Sequence, residues 1–267
     1  MNEFNIKEKI YLIEVVADKT SKIDLRLAVK ENASNNVIAE NEDELDIRQI
    51  NNGLLISSNP YKDNVVHIEL SKGMIEDNSL TISCNGYTTI ESECESVSFD
   101  IMNTDDTEQL VDNIDFRGKC NELTIRAHQD SIAFLTNVLA SDINIYSERG
   151  NIHMDNVKSS YMYVDTDKGS IFLKDVILDM FRIGSFSGRI IVKNCIFNRE
   201  KYHLNNRKEF INIEGSIYIE NMNCQVIPTY YCKDNIFSNE VSNSKFNLQL
   251  PYVHAGVVGK YGKITVK

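Results

Sequence analysis

From residue 131 to residue 222 apolar and polar positions follow one short phrase that recurs five times. Four copies open on glycine: Gly150-Asn-Ile-His-Met-Asp-Asn-Val157, Gly169-Ser-Ile-Phe-Leu-Lys-Asp-Val176, Gly188-Arg-Ile-Ile-Val-Lys-Asn-Cys195 and Gly215-Ser-Ile-Tyr-Ile-Glu-Asn-Met222. Ser131-Ile-Ala-Phe-Leu-Thr-Asn-Val138 precedes them, with serine in the place of glycine. The openings fall at 131, 150, 169, 188 and 215, a step of 19 that lengthens to 27 at the last copy. A fixed period near twenty with strand-like content predicts a solenoid.

Within each copy the second and fourth residues after the opening are apolar: Ala133/Leu135, Ile152/Met154, Ile171/Leu173, Ile190/Val192 and Ile217/Ile219. Alternation with a period of two is the pattern of a strand with one buried face. A second alternating pair precedes three of the glycines, at Ile143/Ile145, Met162/Val164 and Phe181/Ile183. Each rung therefore holds at least two short strands. A helix is excluded because apolar positions do not recur at three and four, and β-branched residues dominate. The expected fold is all-β: a single-stack β-solenoid (β-helix) of about 19-residue rungs with irregular β caps at both ends. Stacked rungs about 4.8 Å apart turn equivalent positions into ladders, and the inner ladders bury a core that no single rung could. The corner glycine is expected to supply a positive φ or a close backbone approach.

One continuous domain, residues 1–267, is expected. Residues 1–70 form an N-terminal β cap and first strands, 71–130 irregular rungs, 131–222 regular rungs and 223–267 a C-terminal cap. Residues 10–16 and 23–29 read as strands, and 45–56 as a hairpin around Asn51-Asn52-Gly53. Residues 103–115 read as an acidic protruding loop and 198–209 as a basic insertion. Segments 1–40 and 235–267 are assigned to covering the ends, with Phe246, Leu248 and Leu250 in a closing strand and 251–256 as a turn or loop. Filaments need open ends, which these caps argue against.

The hairpin sequence Leu45-Asp-Ile-Arg-Gln-Ile-Asn-Asn-Gly-Leu-Leu-Ile56, the strand Val66-His-Ile-Glu-Leu70 and the Gly-[Ser/Asn]-Ile rungs resemble the bacterial putative-adhesin β-solenoid family. The likeness covers residues 40–222 in pattern. It implies a domain of unknown function, often in cell-surface or membrane-associated proteins, with no catalytic motif and no site residues to carry over. This chain departs from it in lacking a membrane anchor and in its irregular early rungs.

Charge narrows the partners. A net charge of −11 argues against nucleic acid and against anionic membrane surfaces. No apolar run spans a bilayer and the first residues lack a signal-peptide core, which makes the cytoplasm the default compartment. The six cysteines show no C-x-x-C pair; Cys195 reads as a small buried hydrophobe, and a Cys224–Cys232 disulfide stays open.

Two ladders are candidate sites. The position between the inward pair reads Phe134, His153, Phe172, Ile191 and Tyr218, an outward apolar strip. Such a strip calls for intramolecular cover, a protein partner or second copy, or a ligand groove in which aromatics stack on sugar. The sixth residue reads Asn137, Asn156, Asp175, Asn194 and Asn221, a structural ladder of turn amides. Asp165, Asp167 and Glu148 lie on adjacent turns without the spacing of a calcium loop. The outward column Thr136, Asp155, Lys174, Lys193, Glu220 holds no paired acids for glycoside chemistry. No catalytic residue, metal or cofactor is expected. The expected function is a non-enzymatic structural or interaction protein, with a carbohydrate-binding or carbohydrate-active β-helix as the alternative.

Overall fold

The structure, a computed structural model, describes residues 3–16, 23–40, 45–58, 63–103, 113–198, 208–230, 252–258 and 262–267. Among the described residues, apart from two single-turn 3-10 segments, Lys72–Met74 and Glu76–Asn78, the regular elements are strands, joined in one 23-stranded sheet. The copies lie on one another in parallel. Ala133 pairs with Ile152, Ile152 with Ile171, Ile171 with Ile190 and Ile190 with Ile217. A second parallel stack runs Ile125, Ile145, Val164, Ile183, Phe210. Each layer is thus a strand, a glycine corner, a second strand and an asparagine corner.

The inward residues of both stacks are buried, and they merge into one core with the large rings Phe99, Phe116, Phe181, Phe197 and Phe210. Phe181 lies 4.6 Å from Phe197 and 4.7 Å from Phe210, so the longer last period is filled by bulkier side chains. Residues 71–130 were expected to form irregular rungs, but Leu80, Phe99, Leu123 and Ile143 pair in unbroken step. Only the connections differ in length; one shift of register occurs, between Arg117 and Gly118.

The corners divide their work between two residue types. A Cβ at Gly150 would stand 1.5 Å from the Ser131 carbonyl oxygen, and one at Gly169 1.8 Å from that of Gly150. The glycine serves close approach, and the positive φ falls on the other corner. Asn137, Asn156, Asp175, Asn194 and Asn221 all hold φ between 53° and 57°, the left-handed region that asparagine and aspartate tolerate best among residues with a side chain. Three residues before each glycine sits a buried polar side chain. Thr166 Oγ1 accepts the Gly169 N–H at 3.0 Å, Ser185 Oγ accepts that of Gly188 at 2.9 Å, and Asn212 Oδ1 that of Gly215 at 2.5 Å. Ser147 occupies the same place before Gly150. Buried backbone groups at the turn are thereby satisfied.

The order of layers departs from the order of the chain. Leu12–Val16 lies between Gly53–Ser58 and Ser79–Cys84, and Ile23–Lys30 between Asn64–Ser71 and Tyr87–Ser92. Residues 1–40 were expected to cap the stack. Instead 12–16 and 23–30 form an interior layer, with Ile13, Leu25 and Val29 fully buried. The cover comes from antiparallel strands: Leu45–Ile50 on Gly53–Ser58, Asn36–Ala39 on Asn64–Ser71, and Glu3–Asn5 on Asn36–Ala39. The hairpin turn holds Asn51 at φ 42°. At the other end Tyr252–Val257, expected as a turn or loop, is a strand inserted between Lys208–Asn212 and Gln225–Tyr230. Its alternating Val253, Ala255 and Val257 are buried, which is why pairing prevails over the local turn signal. The acidic stretch 104–112, the basic stretch 199–207, Phe246, Leu248, Leu250 and Cys232 lie outside the described residues.

Candidate interaction face

The strand after each glycine corner places Phe134, His153, Phe172, Ile191 and Tyr218 in one outward column, each paired with the next. All five are half-buried. Phe134 and His153 stack with centroids 5.1 Å apart and planes 19° apart, and His153 and Phe172 at 4.5 Å and 9°. The rings therefore spend their faces on one another and present edges outward. Tyr218 carries the Nζ of Lys193 and of Lys267, each 5.7 Å from its ring centroid, and its hydroxyl donates to Glu220 Oε2 at 3.0 Å. Burial in this column holds the His153 imidazole below its usual range, which keeps it neutral.

A charged column borders the strip on one side and a mostly polar one, with Ile132 in it, on the other. The first runs Glu91, Arg117, Thr136, Asp155, Lys174, Lys193, Glu220. Lys174 Nζ meets Asp155 at 2.8 Å, Lys193 meets Glu220 at 3.4 Å, and Arg117 meets Glu91 at 4.0 Å. Across the strip Ser170 N–H donates to Asn151 Oδ1 at 2.9 Å, and Arg189 N–H to Ser170 Oγ at 3.1 Å.

The asparagine column stands at the end of the same strands. Asn156 Nδ2 donates to Asn137 Oδ1 at 2.7 Å and Asn221 Nδ2 to Asn194 Oδ1 at 2.9 Å. Asp175 separates the two pairs and contacts Lys174 at 3.6 Å.

Asp165, near the end of its strand, comes together with Glu148 and Asp167 of the glycine corners. They line a shallow cavity of about 270 Å³ with Arg126, His128 and Tyr146. Burial and the neighbouring Asp167 raise the Asp165 carboxyl, while Arg182 opposes the rise. Among the described residues no three His, Cys, Asp or Glu side chains are placed to hold a metal ion. Cys84, Cys94, Cys120, Cys195 and Cys224 carry free thiols. Burial pushes Cys120 up to about 12, Cys195 to about 11 and Cys224 to about 12, so none is a thiolate at neutral pH.

The buried polar residue before each glycine was not singled out from the sequence. Its signal is present there as Ser147, Thr166, Ser185 and Asn212, each three positions ahead of the corner.

Fold and face together define a class: an all-β protein whose distinguishing chemistry lies in side-chain ladders along parallel layers. The chain belongs to the Toastrack DUF4097 family, whose sequence pattern matches residues 1–220. Among solved structures it is similar to a putative adhesin from Parabacteroides merdae, at 10% identity and a TM-score of 0.59, covering 100% of this chain and 95% of that one. It is also similar to a putative lipid binding protein from Parabacteroides distasonis, at 12% identity and a TM-score of 0.58, covering 100% and 96%. At these identities the likeness is one of fold. No curated protein matches. No helix among the described residues is long and apolar enough to cross a membrane.

Proposed function

We propose that this chain is a non-enzymatic, adhesin-like interaction protein, a single-stack β-solenoid of about 19-residue rungs that offers one rigid face to a protein partner. The contact is the strip Phe134, His153, Phe172, Ile191 and Tyr218, and the asparagine ladder keeps the rungs in step beneath it. The observation that carries this reading is the stacking of Phe134, His153 and Phe172. A sugar ring binds an aromatic residue through the ring face, and here those faces are occupied by neighbours in the column. Edge-out rings bordered by charge suit a protein surface with an apolar centre and a charged rim, the usual make-up of protein contacts. This favours protein over glycan, and binding over catalysis. For the compartment, the adhesin neighbour supports a surface-associated setting and the free buried thiols support a reducing one; fractionation of the native host decides between them.

The test is a solid-phase adhesion assay on immobilised matrix proteins and whole cells, with Phe172→Glu beside the wild type, and a thermal-shift glycan panel in parallel. Adhesion should fall at least about tenfold in the variant, the cost of burying a charge at an apolar contact. No glycan should raise the melting temperature. Equal adhesion by both proteins would remove the strip from the account, and a glycan that stabilises the wild type alone would replace this reading with the carbohydrate one.

A further inference from the structure

The bordering charge column has an internal order that the strip alone does not require. Read along the layers it runs Glu91, Arg117, Thr136, Asp155, Lys174, Lys193, Glu220, and Lys267 follows at the last layer, after the pair Ile219–Val266. Reverse the list about the gap between Asp155 and Lys174 and lay it on itself. Asp155 then faces Lys174, Thr136 faces Lys193, Arg117 faces Glu220 and Glu91 faces Lys267. Every charged pair is of opposite sign. These groups reach solvent, with side chains at least 40% exposed at Asp155, Lys174, Lys193, Glu220, Arg117 and Glu91, although each is ion-paired within its own chain, Arg117 most closely to Asp115 at 2.6 Å.

We propose that the face binds a second copy of this chain, antiparallel, about a two-fold axis that runs along the strands and passes between His153 and Phe172. The proposal rests on the reading of the strip as a protein contact and names the partner. Such an axis keeps each column opposite its own counterpart, so the charge columns meet with Asp155 on Lys174 and Arg117 on Glu220, and the contact is self-complementary. It places His153 over the partner's Phe172 and Phe134 over the partner's Ile191, with Tyr218 opposite the partner's Asp115 at the margin. On the far border Asn151 meets Ser170, Ile132 lies opposite Arg189, and Asn113 meets Ser216. Both copies share one layer spacing, so the ladders stay commensurate along their whole length.

The same column rejects neighbouring arrangements. Half a layer either way sets Asp155 against Asp155 or Lys174 against Lys174. One full layer toward the C-terminal end sets Lys174 against Lys193 and Asp155 against Glu220. Like charges at these positions discriminate against the wrong register, as repulsion does in other specific pairings. Five residues of strand across and about eight layers along give a face of roughly 16 Å by 38 Å, or roughly 600 Å² per copy. The total of roughly 1,200 Å² is at the lower bound for a stable contact.

Sedimentation velocity of the full chain from about 1 to about 200 µM tests this, alongside the adhesion assay. The wild type should pass from monomer to dimer, and raised salt should weaken it. Lys174→Glu should raise the dissociation constant at least about tenfold, because the two-fold repeats each like-charge contact. The double variant Asp155→Lys/Lys174→Glu keeps the intramolecular pair and should return to within about threefold of wild type. Should Lys174→Glu fail to fold, the exchange Arg117→Glu/Glu220→Arg against Glu220→Arg alone tests the same register. A wild type that stays monomeric throughout overturns the proposal, and the strip reading then stands or falls on whether Phe172→Glu reduces adhesion. A dimer insensitive to Phe172→Glu overturns the proposal too, and adhesion again decides the strip reading. A dimer lost in Phe172→Glu but not restored by the charge exchange overturns the antiparallel register alone.

Discussion

Asn156 donates its side-chain amide to Asn137 one layer away, at 2.7 Å, and both residues hold a left-handed backbone at φ 56° and 57°. One residue type thus meets two demands. The corner needs a positive φ that β-branched or bulky residues resist, and the column needs a group that both donates and accepts. A carboxylate meets the first demand but only accepts, and Asp175 is where the ladder of amides is interrupted.

Replacing Asp175 by Asn should therefore stabilise the protein. The amide can donate to Asn156 Oδ1 and accept from Asn194, at the loss of an exposed contact with Lys174 of little worth. The gain should be about 0.5–1 kcal/mol, or about 1–4 °C in Tm. Calorimetry checks it. An unchanged or lower Tm would mean the amides do not bridge the gap.

Gly169→Ala should be severely destabilising. The added Cβ would sit 1.8 Å from the Gly150 carbonyl oxygen and 2.8 Å from Thr166 Oγ1, where ladders on both sides fix the layer spacing. A loss of about 3 kcal/mol or more follows from overpacking. Gly73→Ala, with nothing within 4 Å of the added atom, is the matched control and should be near neutral. Equal melting of the two variants would contradict the close approach.

The interior position of the N-terminal layer has its own consequence. Leu25→Ala should cost about 2–5 kcal/mol, as in any fully buried core. Removing residues 1–30 should abolish the cooperative melt, because it takes out the second layer from the N-terminal end and severs Asn64–Ser71 and its cover from Tyr87–Ser92. A truncated chain that melts cooperatively would fit an end cap and not this topology.

His153 should make stability depend on pH. Its folded-state pKa is lowered by burial, so the unfolded chain takes up the proton first. The contribution is complete above the ordinary imidazole value near about 6.5 and is lost as pH falls through the lower folded value. Melting curves from about pH 8 to about pH 5 should show the wild type losing ground relative to His153→Phe as pH drops. Parallel curves would place the imidazole in water in both states.

Much of this was legible because the period of 19 converts sequence distance into contact. Ile152, Ile171 and Ile190 announce both the buried face and its pairing, and the outward column between them follows by alternation. The corner seam Ser147, Thr166, Ser185, Asn212 was equally periodic, but small polar residues before a glycine read as ordinary turn composition until their burial is seen. Irregular spacing hid the in-step pairing of Leu80, Phe99 and Leu123, since connection length varies freely at the surface while inward ladders do not.

By itself, then, the sequence determined an all-β chain, the parallel pairing of its repeats, their buried face and the side chains that share an outward column. Alternation and period are local properties, and any chain that satisfies them buries the same positions. Only the tertiary structure decided which layer lies beside which at the ends, that the rings of Phe134, His153 and Phe172 turn their faces to one another, and that glycine serves closeness while asparagine serves curvature. These depend on backbone direction and on contacts between segments distant in the chain, such as Ile13 with Leu54 and Ile82, for which a strand pattern carries no preference of partner.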